Sequence, residues 1–189
     1  MHILLGTHIK MKNNRPMLLW LTGLSGAGKS TIADIVVKKL RDKIPSIVQI
    51  DGNVVREIFG PALGFDEFSR KTQIKRIQQL AKFLTDQQLF VIVSALYSHP
   101  ELMQWNRANL PNYYEVLIDA SLDVVMERDP RGLYEKHQRG EMHNLVGIDV
   151  PWHRPENSDL ILNPSNGSSA EDMADQIISK ISTLNRNFN

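Results

Sequence analysis

The chain has 189 residues, enough for one domain with a full core. Its 22 Lys and Arg residues almost balance its 21 Asp and Glu residues, which gives no bulk attraction towards nucleic acid or a membrane surface. The absence of cysteine excludes disulfides, thiolate metal sites and cysteine nucleophiles, and it fits a reducing cytoplasm. No apolar run approaches the roughly 20 residues that span a bilayer. We therefore expect a cytoplasmic protein without a nucleic-acid or membrane partner, with an N-terminal arm at residues 1–15 and one domain at 16–189.

A glycine-rich stretch follows the first predicted strand. Residues 23–31 fit the pattern G-x-x-x-x-G-K-[ST] of a phosphate-binding loop. Residues 17–22 form a short apolar run that predicts a buried strand, and apolar residues at helical spacing predict a helix from Thr31 to Leu40. In this context the loop amides and the helix N-terminus bind phosphate. The loop residues predicted to bind ATP are Gly23, Ser25, Gly26, Ala27, Gly28, Lys29, Ser30 and Thr31.

The last residues of this loop carry side chains with separate roles. Lys29 is a mobile cation that can reach the terminal phosphates, which makes it a predicted catalytic residue. Ser30 offers a hydroxyl for Mg²⁺, and Thr31 helps to cap the loop. The expected cofactor is Mg²⁺, with ATP as the co-substrate.

Strands and helices alternate along the rest of the chain. Further strands are predicted at 45–50, 89–95, 113–119 and 160–162, and further helices at 54–59, 67–86, 100–110, 122–128 and 170–184. This alternation predicts an α/β fold, a P-loop NTPase-type doubly wound parallel sheet with helices on both faces. Residues 129–157, called the lid segment below, are polar, weakly periodic and rich in proline and glycine, as mobile lids are.

Asp51 stands at the end of the second predicted strand. The carboxyl ends of parallel strands form the ligand-binding edge of an open α/β sheet, and the phosphate loop lies on the same edge. An Asp-Gly turn with Gly52 is the alternative interpretation. We predict that Asp51 lies near the transferred phosphate or the acceptor hydroxyl. The third strand ends at Ser94, where many P-loop proteins carry an acid, so Ser30, water and ATP are expected to hold the metal, with help from Asp51.

These motifs resemble the adenylylsulfate (APS) kinase family over residues 16–184. The most specific match is the run from Arg128 to Tyr134, which reads Arg-Asp-Pro-Arg-Gly-Leu-Tyr. Further matches are Asp51-Gly52 with Arg56, Leu63-Gly64-Phe65, Arg70, Gly140-Glu141 and Gly147-Ile148-Asp149. Members of this family transfer the γ-phosphoryl group of ATP to the ribose 3′-hydroxyl of APS, which gives PAPS.

The resemblance implies roles for the matching residues. Asp51 would orient or deprotonate the acceptor hydroxyl, and Arg128 and Arg131 would close over the phosphates of ATP. Arg56 and Arg70 would hold the anionic group of the acceptor nucleotide. The predicted acceptor-binding residues are Asp51, Arg56, Phe65, Arg70, Gln73, Ser94, Leu145, Gly147 and Ile148. Dimers are common in the family, so a homodimer is one assembly that the resemblance allows.

Several residues on the acceptor side depart from the family pattern. Asn53 stands in place of a second acid, Gln73 in place of an asparagine that contacts the acceptor, and Leu145 in place of the lid phenylalanine that sandwiches adenine with Phe65. Losing a stacking partner costs about 1–3 kcal/mol per base, enough to shift the preference between nucleotides. Two acceptors therefore stay open: APS, and a cytidine diphosphate derivative such as cytidine diphosphoramidate, which related kinases of surface-polysaccharide phosphoramidate pathways use.

Other functions also stay open. Asn53 and Gln73 motivate a non-catalytic, nucleotide-binding regulatory subunit. A gluconate-type or shikimate-type kinase would share the phosphate loop but not the run from Arg128 to Tyr134. Four histidines lie at 99, 137, 143 and 153, but their spacing matches no zinc pattern, so solvated histidines are expected.

Overall fold

Five strands form one parallel sheet in a computed structural model that describes residues 17–60 and 63–186. They are β1 (Leu18–Thr22), β2 (Ile47–Asp51), β3 (Phe90–Ser94), β4 (Tyr113–Ile118) and β5 (Leu160–Leu162). Their order in the sheet is β2-β3-β1-β4-β5, and every neighbouring pair is parallel. The predicted P-loop-type parallel sheet is confirmed, while the predicted arm at residues 1–15 lies outside the described residues.

Helices connect the strands and close the fold. They are α1 (Lys29–Leu40), α2 (Gly52–Ile58), α3 (Glu67–Asp86), α4 (Pro100–Asn109), α5 (Leu122–Arg128), α6 (Leu133–Gln138) and α7 (Ala170–Arg186). The bounds of α3 agree with the prediction. The helix begins after Asp66, which caps its first turn by accepting a hydrogen bond from the Ser69 amide. None of the helices in ranges 17–60 and 63–186 is long and apolar enough to cross a bilayer.

The core lies around β1 and β3, whose residues are all buried. Strands of a parallel sheet are covered on both faces, which explains why both sequences are continuous apolar runs. Helix α1 packs against α7 and against β1, β2 and β3, and α3 packs against β3 and α4. These contacts fix the phosphate loop between β1 and α1 at the carboxyl edge of the sheet.

The lid segment contains ordered secondary structure that the sequence did not predict. Helix α6 begins after Gly132, and the Asp129 carboxylate accepts hydrogen bonds from the backbone amides of Leu133 and Glu135. Apolar side chains of this segment are buried in the core, namely those of Tyr134, Leu145, Val146 and Val150. The segment is thus partly anchored, and its mobility stays a prediction.

Candidate active site

The phosphate loop follows β1 directly, and glycine is required at two of its positions. Gly23 has a φ of 149°, and a Cβ atom there would lie 2.5 Å from the backbone oxygen of Ile118 in the adjacent strand β4. Gly28 precedes α1 with a φ of 99°, a left-handed conformation that side chains disfavour. The chain therefore turns sharply into α1, whose N-terminus favours an anion.

Lys29 is the first residue of α1 and folds back over the loop. Its Nζ donates hydrogen bonds to the backbone oxygens of Gly23 at 2.8 Å and Leu24 at 2.7 Å. Burial lowers the pKa of Lys29 to about 8, although the charge of Asp51 opposes this shift, and Arg131 lowers the pKa further. A phosphate in the loop would stabilise the protonated amine that burial disfavours.

Asp51 ends β2, caps α2 and faces the phosphate loop. Its Oδ2 accepts a hydrogen bond of 2.5 Å from Ser30 Oγ, and its Oδ1 accepts hydrogen bonds from the backbone amide and Nδ2 of Asn53. Burial alone would raise the pKa of Asp51, but the hydrogen bonds from Ser30 and Asn53 outweigh burial and lower it. The carboxylate is therefore ionised at neutral pH.

A cavity of about 610 Å³ extends from the phosphate loop to the residues beyond Asp51. Most of the residues predicted from the sequence line it together. They are Ser25, Gly26, Ala27, Gly28, Lys29, Ser30, Thr31, Asp51, Arg56, Phe65, Arg70, Gln73, Ser94, Arg128 and Arg131. Gly23 lies outside the lining and contributes the carbonyl that holds Lys29. A triphosphate and a second substrate can thus share one continuous space.

Two arginines flank the ring of Phe65 at the far end of the cavity. The guanidinium carbon of Arg56 lies 4.5 Å from the ring centroid and that of Arg70 lies 5.7 Å from it. Burial and the neighbouring Arg56 lower the pKa of Arg70 to about 10. Neither guanidinium forms a salt bridge with a carboxylate in the part of the chain that the structure describes. This end of the cavity is therefore suited to an anionic ligand with a flat ring.

The same arginines also position the backbone around them. Arg56 donates to the backbone oxygens of Leu63 and Gly64, and Arg70 donates from Nε to the backbone oxygen of Phe65. The Nη2 atom of Arg70 donates to the backbone oxygen of Asn144, 2.7 Å away, in the lid segment. Arg70 consequently links the α3 side of the cavity to the lid segment.

Three buried polar atoms of residues that line the cavity have no hydrogen-bond partner among the described residues. They are the Ser94 hydroxyl, the Gln73 Oε1 atom and the Tyr97 hydroxyl. The Nε2 atom of Gln73 donates to the backbone oxygen of Gly52, which leaves its oxygen as a free acceptor. A buried polar group without a partner is unfavourable, so these three atoms are suited to binding polar groups of a ligand.

Three predicted acceptor-binding residues lie outside the cavity lining. Leu145 is only 2% exposed and packs in the core, whereas Ile148 is 42% exposed. A Cβ atom on Gly147 would lie 3.3 Å from Leu24 Cδ2, so this glycine permits close packing. Burial of an apolar side chain favours the observed position of Leu145. Contact between these residues and an acceptor stays a prediction.

Sequence reasoning missed three residues that shape this site. Asn53 lines the cavity and orients Asp51, although its position was noted only for a lost acid. Tyr97 lines the cavity beyond the end of β3 and is buried. Tyr134 donates a hydrogen bond of 3.2 Å to the backbone oxygen of Ser25, so α6 contacts the phosphate loop. Two of the three carried a usable signal, since Tyr97 follows the carboxyl end of a strand and Tyr134 belongs to the run that matches the family most specifically.

The parallel sheet, the phosphate loop and an ionised carboxylate next to the loop serine define a P-loop kinase. The family model described as adenylylsulphate kinase matches residues 15–163. The chain belongs to the adenylylsulphate kinase family and is a phosphotransferase that uses ATP.

Individual relatives differ in the acceptor that their names give. The cytidine diphosphoramidate kinase of Campylobacter jejuni is 38% identical over 171 residues, which cover 90% of this chain and 99% of the relative. The adenylyl-sulfate kinase of Vibrio cholerae is 39% identical over 170 residues, which cover 89% of this chain and 79% of the relative. A solved structure of the Mycobacterium tuberculosis APS kinase with AMPPNP and APS matches with a TM-score of 0.81 and 34% identity, covering 89% of this chain and 98% of that one.

Proposed function

We propose that this chain transfers the γ-phosphoryl group of ATP to the ribose 3′-hydroxyl of an acceptor nucleotide. The position of Asp51 is the main support for this proposal. Asp51 accepts a hydrogen bond from Ser30 of the phosphate loop and lines the same cavity as Arg56, Arg70 and Phe65. A carboxylate between a triphosphate site and an anion site is placed to act on an acceptor hydroxyl.

Each group of the chain has a separate part in this transfer. The loop amides and Lys29 hold the β- and γ-phosphates, and the exposed Arg128 and Arg131 supply positive charge from the lid segment. The ionised Asp51 orients the acceptor hydroxyl and takes up its proton. The hydroxyl oxygen then forms a bond to the γ-phosphorus, and the bond from that phosphorus to the bridging oxygen of ADP breaks.

The oxygens of Ser30 and Asp51 fit a bound Mg²⁺, since Mg²⁺ prefers hydroxyl, carboxylate and phosphate oxygens. The Ser30 hydroxyl and the Asp51 carboxylate are neighbours at the base of the phosphate loop, so these two side chains would hold the ion. When bound, Mg²⁺ supplies neutralisation of phosphate charge. The remaining ligands would come from ATP and water.

Two acceptors fit the site, and the family itself suggests APS. A second acceptor, cytidine diphosphoramidate, is favoured by the position of Leu145. This residue stands where the family carries a stacking phenylalanine, and it is buried in the core instead of lining the cavity. Phe65 is thus the one aromatic ring predicted to stack on the base, an arrangement that disfavours a purine more than a smaller pyrimidine.

A coupled assay of ADP release with Mg²⁺ and ATP tests the acceptor. APS, cytidine diphosphoramidate, CDP and a blank without acceptor are compared, and ³¹P NMR locates the new phosphate. We expect kcat/KM to favour the cytidine compound by about 5- to 150-fold, the equivalent of one lost stacking interaction. A preference for APS would support the first acceptor. No stimulation by any nucleotide would contradict the proposed transfer and favour the regulatory alternative. A homodimer also stays a prediction, which light scattering after gel filtration would test.

A further inference from the structure

Three side chains with metal-binding atoms meet beside the active-site cavity. Glu67 is the first residue of α3, His99 directly precedes α4, and His153 lies in the lid segment. One carboxylate oxygen and one nitrogen from each imidazole all lie within 4.8 Å of one another. Because these residues come from distant parts of the chain, their sequence spacing resembles no zinc motif.

The two imidazoles carry buried nitrogens that lack hydrogen-bond partners. His99 Nδ1 and His153 Nε2 are both shielded from solvent, and neither has a partner among the described residues. The carboxylate of Glu101 also approaches His99, but its Oε2 lies 3.8 Å from Nδ1, beyond hydrogen-bond distance. Buried polar atoms in native proteins almost always have partners, so these two nitrogens point to a missing ligand.

Other contacts hold the histidines in place. The two imidazole centroids are 4.8 Å apart, and the ring of Tyr97 packs edge-on against His153 at 5.8 Å. The Ser98 hydroxyl donates a hydrogen bond of 2.6 Å to the backbone oxygen of His153. The ring packing restricts the orientation of both imidazoles, and the Ser98 bond holds the backbone of His153.

We propose that Glu67, His99 and His153 bind a Zn²⁺ ion. Two imidazole nitrogens and one carboxylate oxygen form a ligand set that zinc uses in proteins, with water in the fourth position. Ligand atoms of a tetrahedral zinc site lie about 3.4 Å apart, so the side chains must approach one another slightly. Glu67 can contribute to this movement, since its side chain is 47% exposed and its partner Lys71 forms only a surface salt bridge.

The ion would join the start of α3, the start of α4 and the lid segment. The ion would lie next to Tyr97, whose ring packs against both imidazoles and which also lines the active-site cavity. This zinc is separate from the Mg²⁺ of the transfer reaction, because its ligands do not line the cavity. Its expected effect is to fix the lid segment against the body of the protein.

Zinc titration of the full-length, tag-free protein tests this site without any nucleotide. The protein is first treated with a chelator and dialysed, and Zn²⁺ affinity is then measured by competition with a chromogenic chelator. Visible absorption after Co²⁺ addition reports the coordination geometry. We expect one ion per chain and an intense tetrahedral Co²⁺ spectrum. Because both measurements are made without ATP or acceptor, their outcome does not depend on the proposed kinase function.

Matched variants identify the ligands. Glu67→Gln and His153→Phe, the latter keeping an aromatic ring against Tyr97, should each weaken zinc binding by about tenfold or more, at least the loss seen when a supporting residue is removed. His143→Gln, at an exposed position of the lid segment, is a control that should bind zinc like the unaltered chain. Equal affinity of all three variants, or absence of one-to-one binding, would overturn the proposal. Circular dichroism checks folding, and Glu67→Gln, at an exposed position, serves as the test if His153→Phe does not fold.

Discussion

Replacing Asp51 with asparagine separates the chemistry of the carboxylate from its structural role. Asn is as good an N-cap as Asp, so Oδ1 can still accept the hydrogen bonds from Asn53. Ser30 Oγ, which now donates to Oδ2, would accept a hydrogen bond from the new amide instead. We therefore expect the free energy of unfolding to change by less than about 1 kcal/mol.

The effect on turnover should be much larger. The amide cannot take up a proton from the acceptor hydroxyl, and general base catalysis contributes about 10²- to 10⁴-fold to a rate. This range corresponds to about 3–5 kcal/mol of activation free energy. We expect Asp51→Asn to lower kcat by at least about 10²-fold in the ADP-release assay, while calorimetry shows that ATP still binds.

Asp66→Asn is a matched control, because Asp66 also caps a helix and accepts hydrogen bonds from a serine. It caps α3 and bonds to both the amide and the hydroxyl of Ser69, outside the cavity lining. Its kcat should stay within about twofold of the unaltered chain, as for most surface substitutions. If Asp51→Asn kept a kcat close to that of the control, the catalytic role of Asp51 would be refuted.

Three further predictions concern other residues of the site. ATP affinity should fall by up to about tenfold per pH unit above pH 8. The reason is that the Lys29 amine of the free protein has a pKa of about 8 and must gain a proton to pair with phosphate. Calorimetry across about pH 7–10 measures this fall in affinity. Arg70→Met should raise the KM for the acceptor by about 10- to 100-fold with little change for ATP, since it removes a buried cation at the acceptor end. Tyr134→Phe should lower the free energy of unfolding in urea by about 0.5–1.5 kcal/mol through loss of the bond to Ser25.

Each of these predictions has a distinct control. Lys29→Ala should bind ATP weakly at every pH, and its ATP affinity should not fall with rising pH. An equal fall in this variant would exclude Lys29 as the cause of the pH dependence. Arg139→Met removes an exposed cation of the lid segment outside the cavity lining, so an equal rise in acceptor KM there would contradict a local role for Arg70. Tyr114→Phe loses only an exposed, 3.4 Å contact to the backbone oxygen of Asp159, and an equal loss of stability there would contradict a special contribution from Tyr134.

The regular parts of the fold were predictable because their signals are local. Helix α3 has a capping aspartate and a long stripe of buried residues, so both of its ends were found. The central strands are continuous apolar runs, the pattern of short strands that are buried on both faces of a parallel sheet. Helix α6 was missed because its six residues are too few to show periodicity, and it depends on the side chain of Asp129 for its first amides.

The phosphate end of the cavity could be predicted from the sequence more fully than the other end, for a physical reason. A phosphate loop binds phosphate mainly through backbone amides and one lysine within a single turn of chain, so a short motif predicts most of that half. The other half, which is the proposed acceptor site, is assembled from α2, α3, the end of β3 and the lid segment, and its contacts depend on packing. Leu145 illustrates this, since a family position expected at the cavity is buried in the core instead. His99 and His153 illustrate the converse, because two histidines with no motif between them become neighbours only after folding.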